Sequence, residues 1–270
     1  MAVYTSIDML EDCRAGRARG WECLVAHFVP ALEWIAGRYR QDLGGQDVFF
    51  TGFLTALRDD PESPVNRLRA ATDREFLFHA AEFLLDWAGI LRPGGARSGA
   101  REILDGALGG FTRLERQIVW FRVLGYGPAE IAELLPAGEE RIREVLQRAA
   151  AALGGNATIV SEEPDRMALI AEVRADPPDE PVPLRQLFQV LDGRLHWRRR
   201  DEIEDRLVAS WYELDRFCRA RETAMALRKV RPLPASRTAE YLRALRSDRD
   251  GASGGPPGRL RRLRLLPFFR

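Results

Sequence analysis

FTRLERQIVWFRVLGYGPAEIAELLPAGEERIREVLQRAAAAL, residues Phe111–Leu153, holds three helical periods separated by two breaks. Leu114, Ile118, Val119, Phe121 and Val123 recur at helical spacing until Leu124-Gly125-Tyr126-Gly127 interrupts them. Pro128 can open a second helix, because proline at the first helical position gives up only an orphan donor. Its inward face is Ile131, Ala132, Leu134 and Leu135. Pro136-Ala137-Gly138 ends it, and a third helix follows with Ile142, Val145, Leu146 and Ala149 on one side. Two short helices joined by so tight a turn make a helix-turn-helix, whose second helix suits the major groove of DNA. A helical hairpin buried in a core has the same spacing, so periodicity alone leaves both readings open.

The segment Leu114–Leu153, with Glu130-Ile131-Ala132-Glu133 in its middle and Arg148-Ala149 near its end, resembles a known family. It is similar to the promoter-reading C-terminal domain of the extracytoplasmic-function group of bacterial sigma factors. A second resemblance lies upstream and in the same order. Trp21, Leu24, Phe28, Pro30 and Leu32 are similar to the opening helix of the family's polymerase-binding domain. Gln46–Leu54, QDVFFTGFL, is similar to the segment that docks on core RNA polymerase, and Leu77–Trp87, LFHAAEFLLDW, to the helix that reads and melts the promoter. The resemblance implies that Asp47, Phe50 and Leu54 belong to the polymerase-binding surface. It implies that the Ala80–Trp87 helix faces the melted element and that Arg141, Arg143, Gln147 and Arg148 face the upstream promoter element. Arginine and glutamine at those positions suit phosphate and base-edge contact.

The departures from the family pattern are equally specific. Phe50-Thr51 stands where the family has a Gln-Glu pair, and Ala81-Glu82 where it has Arg-Asn. A carboxylate facing a phosphate backbone is repelled, and alanine makes no contact in place of the lost one. Glu139, Glu140 and Glu144 share the third helix with its arginines. Acids in a first turn favour the helix dipole but offset attraction to DNA. Pro136 and Gly138 replace the expected glycine and serine cap. These changes imply a retained fold with an eroded DNA-reading surface.

The remainder of the chain agrees with an intracellular helical protein. Its 270 residues allow two small domains and a third element. With 46% apolar and 30% charged side chains it has the composition of a folded protein, and no apolar run is long enough to span a bilayer. Cys13, Cys23 and Cys218, with His27, His79 and His196, lack ligand spacing, so neither a disulfide framework nor a metal site is expected and the cytoplasm is the expected compartment. No phosphate loop, serine elbow or metal triad is present, so no enzyme activity and no cofactor are expected. Residues 231–270 hold ten Arg against three acids, a balance of +7, while the first 230 residues carry −6.

Earlier in the chain, Trp21, Leu24, Val25, Phe28, Leu32, Ile35 and Ala36 form one helical stripe, Gln41–Gly45 a break, and Arg74–Leu91 a further helix. The run Asp59–Pro64 reads as a loop. Residues 154–185 read as a connector with a short apolar helix at Met167–Val173, then a stiff, solvated DPPDEPVP. Beyond it, Leu191-Asp192-Gly193-Arg194-Leu195 and Glu204-Asp205-Arg206-Leu207 resemble the small zinc-binding anti-sigma domain on a handful of residues. The family's ligand positions fall on Arg206, Ser210 and Glu213, which supply no thiolate or imidazole, so a zinc-free module is implied. Last, GASGGPPGRLRRLRLLPFFR couples a hinge to alternating arginines and leucines, fit for nucleic acid, an anionic membrane, an acidic groove or its own protein.

The expected fold is therefore all-α. A polymerase-binding-type bundle spans 1–95, a linker 96–101, a helix-turn-helix domain 102–155, a Pro/acid-rich linker 156–185, a helical module 186–230 and an Arg-rich tail 231–270. The function the resemblance implies is transcription initiation with core RNA polymerase and promoter DNA as partners, and an anti-sigma or other regulatory protein as a further one. A sigma-derived regulator or adaptor that no longer opens promoters is the alternative, and a purely structural helical adaptor a third.

Overall fold

Capping residues set where several helices begin. Thr5, Thr72 and Thr112 each precede a helix whose third residue is an acid, Asp8, Glu75 or Glu115. The threonine oxygen accepts the acid's N–H and the carboxylate accepts the threonine's, which satisfies two orphan donors at each start. The computed structural model describes residues 4–39, 46–89 and 99–251, and the regular elements in them are helical.

The first group comprises α1 (Ser6–Arg14), α2 (Ala18–Tyr39), α3 (Gln46–Asp59), α4 (Pro64–Arg67) and α5 (Asp73–Trp87). The second comprises α6 (Ala100–Leu108), α7 (Arg113–Val123), α8 (Pro128–Leu134) and α9 (Glu139–Leu153). After a 3-10 segment (Gly154–Val160) come α10 (Glu163–Arg174), α11 (Leu184–Leu191), α12 (Trp197–Ala209), α13 (Trp211–Lys229) and α14 (Ala235–Gly251). The predicted break at 41–45, residues 96–98 of the predicted linker at 96–101 and the basic run after 251 lie outside the described residues.

The helices bury the stripes their sequences carry. In α2, Trp21, Leu24, Val25, Phe28, Leu32, Ile35 and Ala36 are all inward, as their spacing predicts. The α3 stripe is Phe50, Phe53, Leu54 and Leu57, each fully buried. α13 runs through the middle and packs on α2, α5, α7, α8, α10, α11 and α12. Buried side chains from Met9 to Leu245 accordingly form one cluster that includes every segment of the expected domain plan.

Two expectations about the C-terminal third are refined. Within 156–185 the expected apolar helix buries Leu169, Ile170 and Val173, and DPPDEPVP is mostly exposed as its composition predicts, but Val182 is buried and its N–H donates to Glu213 at 2.7 Å, so the connector is pinned to the fold. Pro164 lies in the first turn of α10 and Pro183 caps the start of α11. The 231–270 stretch opens as a packed helix, since α14 lies on α2 and α3 and buries Thr238, Tyr241 and Leu245.

The first and second helix groups also touch directly. Gly125, in the turn between α7 and α8, has φ +99°, and a Cβ there would lie 2.7 Å from the Arg38 carbonyl oxygen at the end of α2. Neither the conformation nor the space admits a side chain. Gly125→Ala is expected to cost about 1–3 kcal/mol of stability. Gly37→Ala, at an open α2 position where nothing lies within 4 Å, is expected to stabilise by roughly 0.5–1 kcal/mol. Paired chemical denaturation curves check both signs.

Candidate nucleic-acid and partner interface

The α7–α8–α9 unit has the geometry of two helices and a short turn. α8 stops because Pro136 follows, and Leu135 is extended; α9 restarts at Gly138, which offers no side-chain cap. Ile142, Val145 and Ala149 turn inward, leaving Arg141, Arg143, Gln147 and Arg148 on the exposed face. The four predicted DNA-facing residues are thus all exposed, Arg141 and Arg148 on the flank toward Glu115 of α7 and Arg143 with Gln147 on the opposite flank.

Their charges are answered within the chain. Glu115, on α7, is 9% exposed and accepts from Arg141 at 3.0 Å and Arg148 at 2.6 Å through one oxygen. Its other oxygen accepts the Thr112 N–H. Burial pushes the Glu115 carboxyl up, but the Thr112 N–H and Arg148 outweigh it and hold the group below its ordinary value. Arg148 also lies over the Phe111 ring, 4.5 Å from its centre. Arg141 meets Glu144 at 3.0 Å, and Arg143 pairs with Glu139. The latter two are exposed pairs worth little. Glu115 is the stronger hold, because a sheltered carboxylate loses more when its partners leave.

Of the three residues predicted on the polymerase-binding surface, only Asp47 is exposed. Phe50 and Leu54 are fully buried, placed inward by the same helical spacing as Phe53 and Leu57, so neither offers a contact to a partner in this conformation. Asp47 is 72% exposed and is clasped by the C-terminal helix. Arg237 Nη2 donates to Asp47 Oδ1 at 2.8 Å and to Glu33 Oε1 at 3.5 Å; the Tyr241 hydroxyl lies 3.0 and 3.2 Å from the same two oxygens, its single proton shared between them.

Helix α5, expected to face the melted promoter element, is tied down as well. Ala81 is buried, and Glu82 meets Arg219 of α13 at 3.0 Å and His79 at 3.4 Å. Burial raises the Glu82 carboxyl, yet Arg219 and His79 carry it down to about 2. The carboxylate expected to repel phosphate is therefore already neutralised by the chain's own arginine.

Behind these surfaces lies a buried polar hub on α13. Asp215 accepts from Trp120 Nε1 on α7 (3.0 Å), Arg174 Nε on α10 (3.0 Å) and Arg219 Nε (2.9 Å). Burial raises its carboxyl, but the two guanidiniums hold it below its ordinary value. The Tyr126 hydroxyl donates to Glu222 at 2.6 Å, Arg221 donates to the Leu134 carbonyl at the end of α8, and Lys229 pairs with Glu133. Through these residues α13 holds α5, α7 and α8 at once. The sequence reading missed Asp215, Arg219 and Glu222. The available signal was that WYELDRFCRARETAMALRK carries charges on every face. A helix charged on every face and surrounded by others must pair its charges internally.

No family model, no curated protein and no solved structure matches this chain.

Proposed function

We propose that this protein is a sigma-factor-like transcription initiation protein that engages core RNA polymerase through α2 and α3 and duplex DNA through α9, and that the described conformation is its closed one. The observation that carries the reading is the α9 surface. Three arginines and a glutamine are all solvent-exposed along the second helix of a helix-turn-helix. The order of the resembling segments along the chain adds to it. So does the α12–α13 corner, where the positions corresponding to the anti-sigma zinc ligands still converge. Arg206 pairs with Glu213 at 2.8 Å, and the Ser210 hydroxyl accepts the Glu213 N–H there, an ion pair and a helix cap in place of a metal.

The experiment is duplex DNA binding by the full chain across a salt series. Arg141→Ala with Arg148→Ala is expected to weaken affinity and to lower the log–log salt slope by about 2, roughly one per phosphate-contacting cation. Glu115→Gln keeps the capping oxygen for Thr112 but releases both arginines from a buried charge, and is expected to tighten binding. Unchanged affinity and slope in both variants would count against groove binding.

A second reading, a sigma-derived adaptor that no longer opens promoters, is favoured by one observation. Glu115, Glu139 and Glu144 leave none of the three α9 arginines without a carboxylate. Under it, both variants bind DNA as weakly as the parent while polymerase binding persists.

A further inference from the structure

α14 is attached differently from the rest of the fold. Twelve residues of α13 are buried, whereas only Thr238, Tyr241 and Leu245 are buried in the described part of α14. Those three sit at i, i+3 and i+7, the anchor spacing of an amphipathic helix lying in a groove. An extended segment, Val230–Pro234, links it to α13 and is pinned where the Leu233 N–H donates to the Ala26 carbonyl at 2.8 Å. The floor of the groove is α2 and α3. One end carries Glu33 and Asp47, gripped by Arg237 and Tyr241; the other carries Arg58, which donates to the Leu245 carbonyl at 2.6 Å. Burial raises the Glu33 carboxyl, while Arg237 and Tyr241 hold Asp47 low, so the acidic end is built to receive a cation.

We propose that the α2/α3 face is a helix-docking site that α14 occupies in cis. Its exchange partner is a helix of another protein that presents an arginine one turn ahead of an apolar stripe at this spacing. The partner's identity, a helix of core RNA polymerase, rests on the functional reading above; the groove and its occupant do not. A tethered helix acts at an effective concentration of about millimolar, so it masks the site from weak binders and yields to a strong one. Affinity for the partner is reduced by the fraction of molecules in which α14 has left. The charge clasp sets specificity, and the small apolar stripe keeps the cis complex weak enough to exchange.

The test uses the full chain carrying Arg237→Ala and Tyr241→Ala, and a labelled peptide of residues 234–246. Uptake of the peptide at least about tenfold tighter than by the parent chain is expected, because the cis competitor has been weakened. Asp47→Arg added to that chain is expected to abolish uptake. Leu245→Glu, which breaks the apolar anchor and leaves the clasp residues in place, should open the site equally. Chains that keep the parent's helicity and melting behaviour yet take up the peptide no better than the parent would overturn the proposal. Equal uptake by the Asp47→Arg chain would overturn it too. Core polymerase is then added to the peptide complex. Displacement supports it as the partner; uptake without displacement keeps the groove and removes polymerase as its partner, and with it the sigma-like reading.

Discussion

Asp215→Ala should lower the free energy of unfolding by about 3–5 kcal/mol, the usual cost of removing one partner from a buried ion pair. Asp215 is fully buried and accepts three hydrogen bonds, from Trp120, Arg174 and Arg219. Without it two guanidiniums and an indole N–H lose their acceptor, and Arg174 already has one nitrogen, Nη2, with no partner. Arg219 keeps Glu82, so part of its charge stays compensated. Asp215→Asn keeps an acceptor but loses the charge and is expected to fall between the two. Urea denaturation reads the result as a lower midpoint at unchanged slope. A midpoint shift no larger than that of an exposed pair, such as Arg199→Ala opposite Glu202, would show that α13 is not held by this hub.

Stability should also fall as pH rises through neutrality, and Glu222 is the cause. Burial lifts its carboxyl from an ordinary 4.5 to about 7, against the pull of the Tyr126 hydroxyl and Arg219. The folded state therefore binds this proton more tightly than the unfolded chain does. The contribution is fully present below the unfolded value and is lost as pH climbs through about 7. At roughly 1.4 kcal/mol per pH unit of displacement, the loss amounts to about 3–4 kcal/mol. Glu222→Gln keeps an oxygen for the Tyr126 hydroxyl and removes the titration. Its stability should be flat across this range and exceed the parent's at alkaline pH. Glu82 and Asp215 work in the opposite direction. Their carboxyls are held low by Arg219 and Arg174, so their contribution is present above the ordinary carboxylate range and lost in strong acid. Denaturation midpoints from mildly acidic to alkaline pH separate the two effects.

The helices themselves were legible in the sequence because their apolar spacing is regular and their starts are marked. Pro128, Pro136 and Gly138 bracket α8 and α9, and the inward residues of α9 follow from period alone. The exposure of Arg141, Arg143, Gln147 and Arg148 follows from the same period. What they pair with does not, since Glu115 lies on another helix, 26 residues before Arg141. Phe50 and Leu54 were misplaced on the surface because alignment to a family motif overrode the helical stripe they share with Phe53 and Leu57. The stripe was the better guide. The DPPDEPVP segment reads as solvated by composition, yet its single valine, Val182, is buried and anchors the backbone to Glu213. Nothing in local sequence places α14 on Asp47. That contact joins residues 190 positions apart and is set by packing.

Transcription of fragmented genomic DNA from the source organism by its own core polymerase, with start sites sequenced, tests the central claim most directly. Addition of this protein should produce discrete start sites absent from core enzyme alone, and the chain carrying Arg237→Ala and Tyr241→Ala should produce the same sites in greater yield. An unchanged start-site map with both chains, each folded as judged by its melting curve, would contradict a role in transcription initiation.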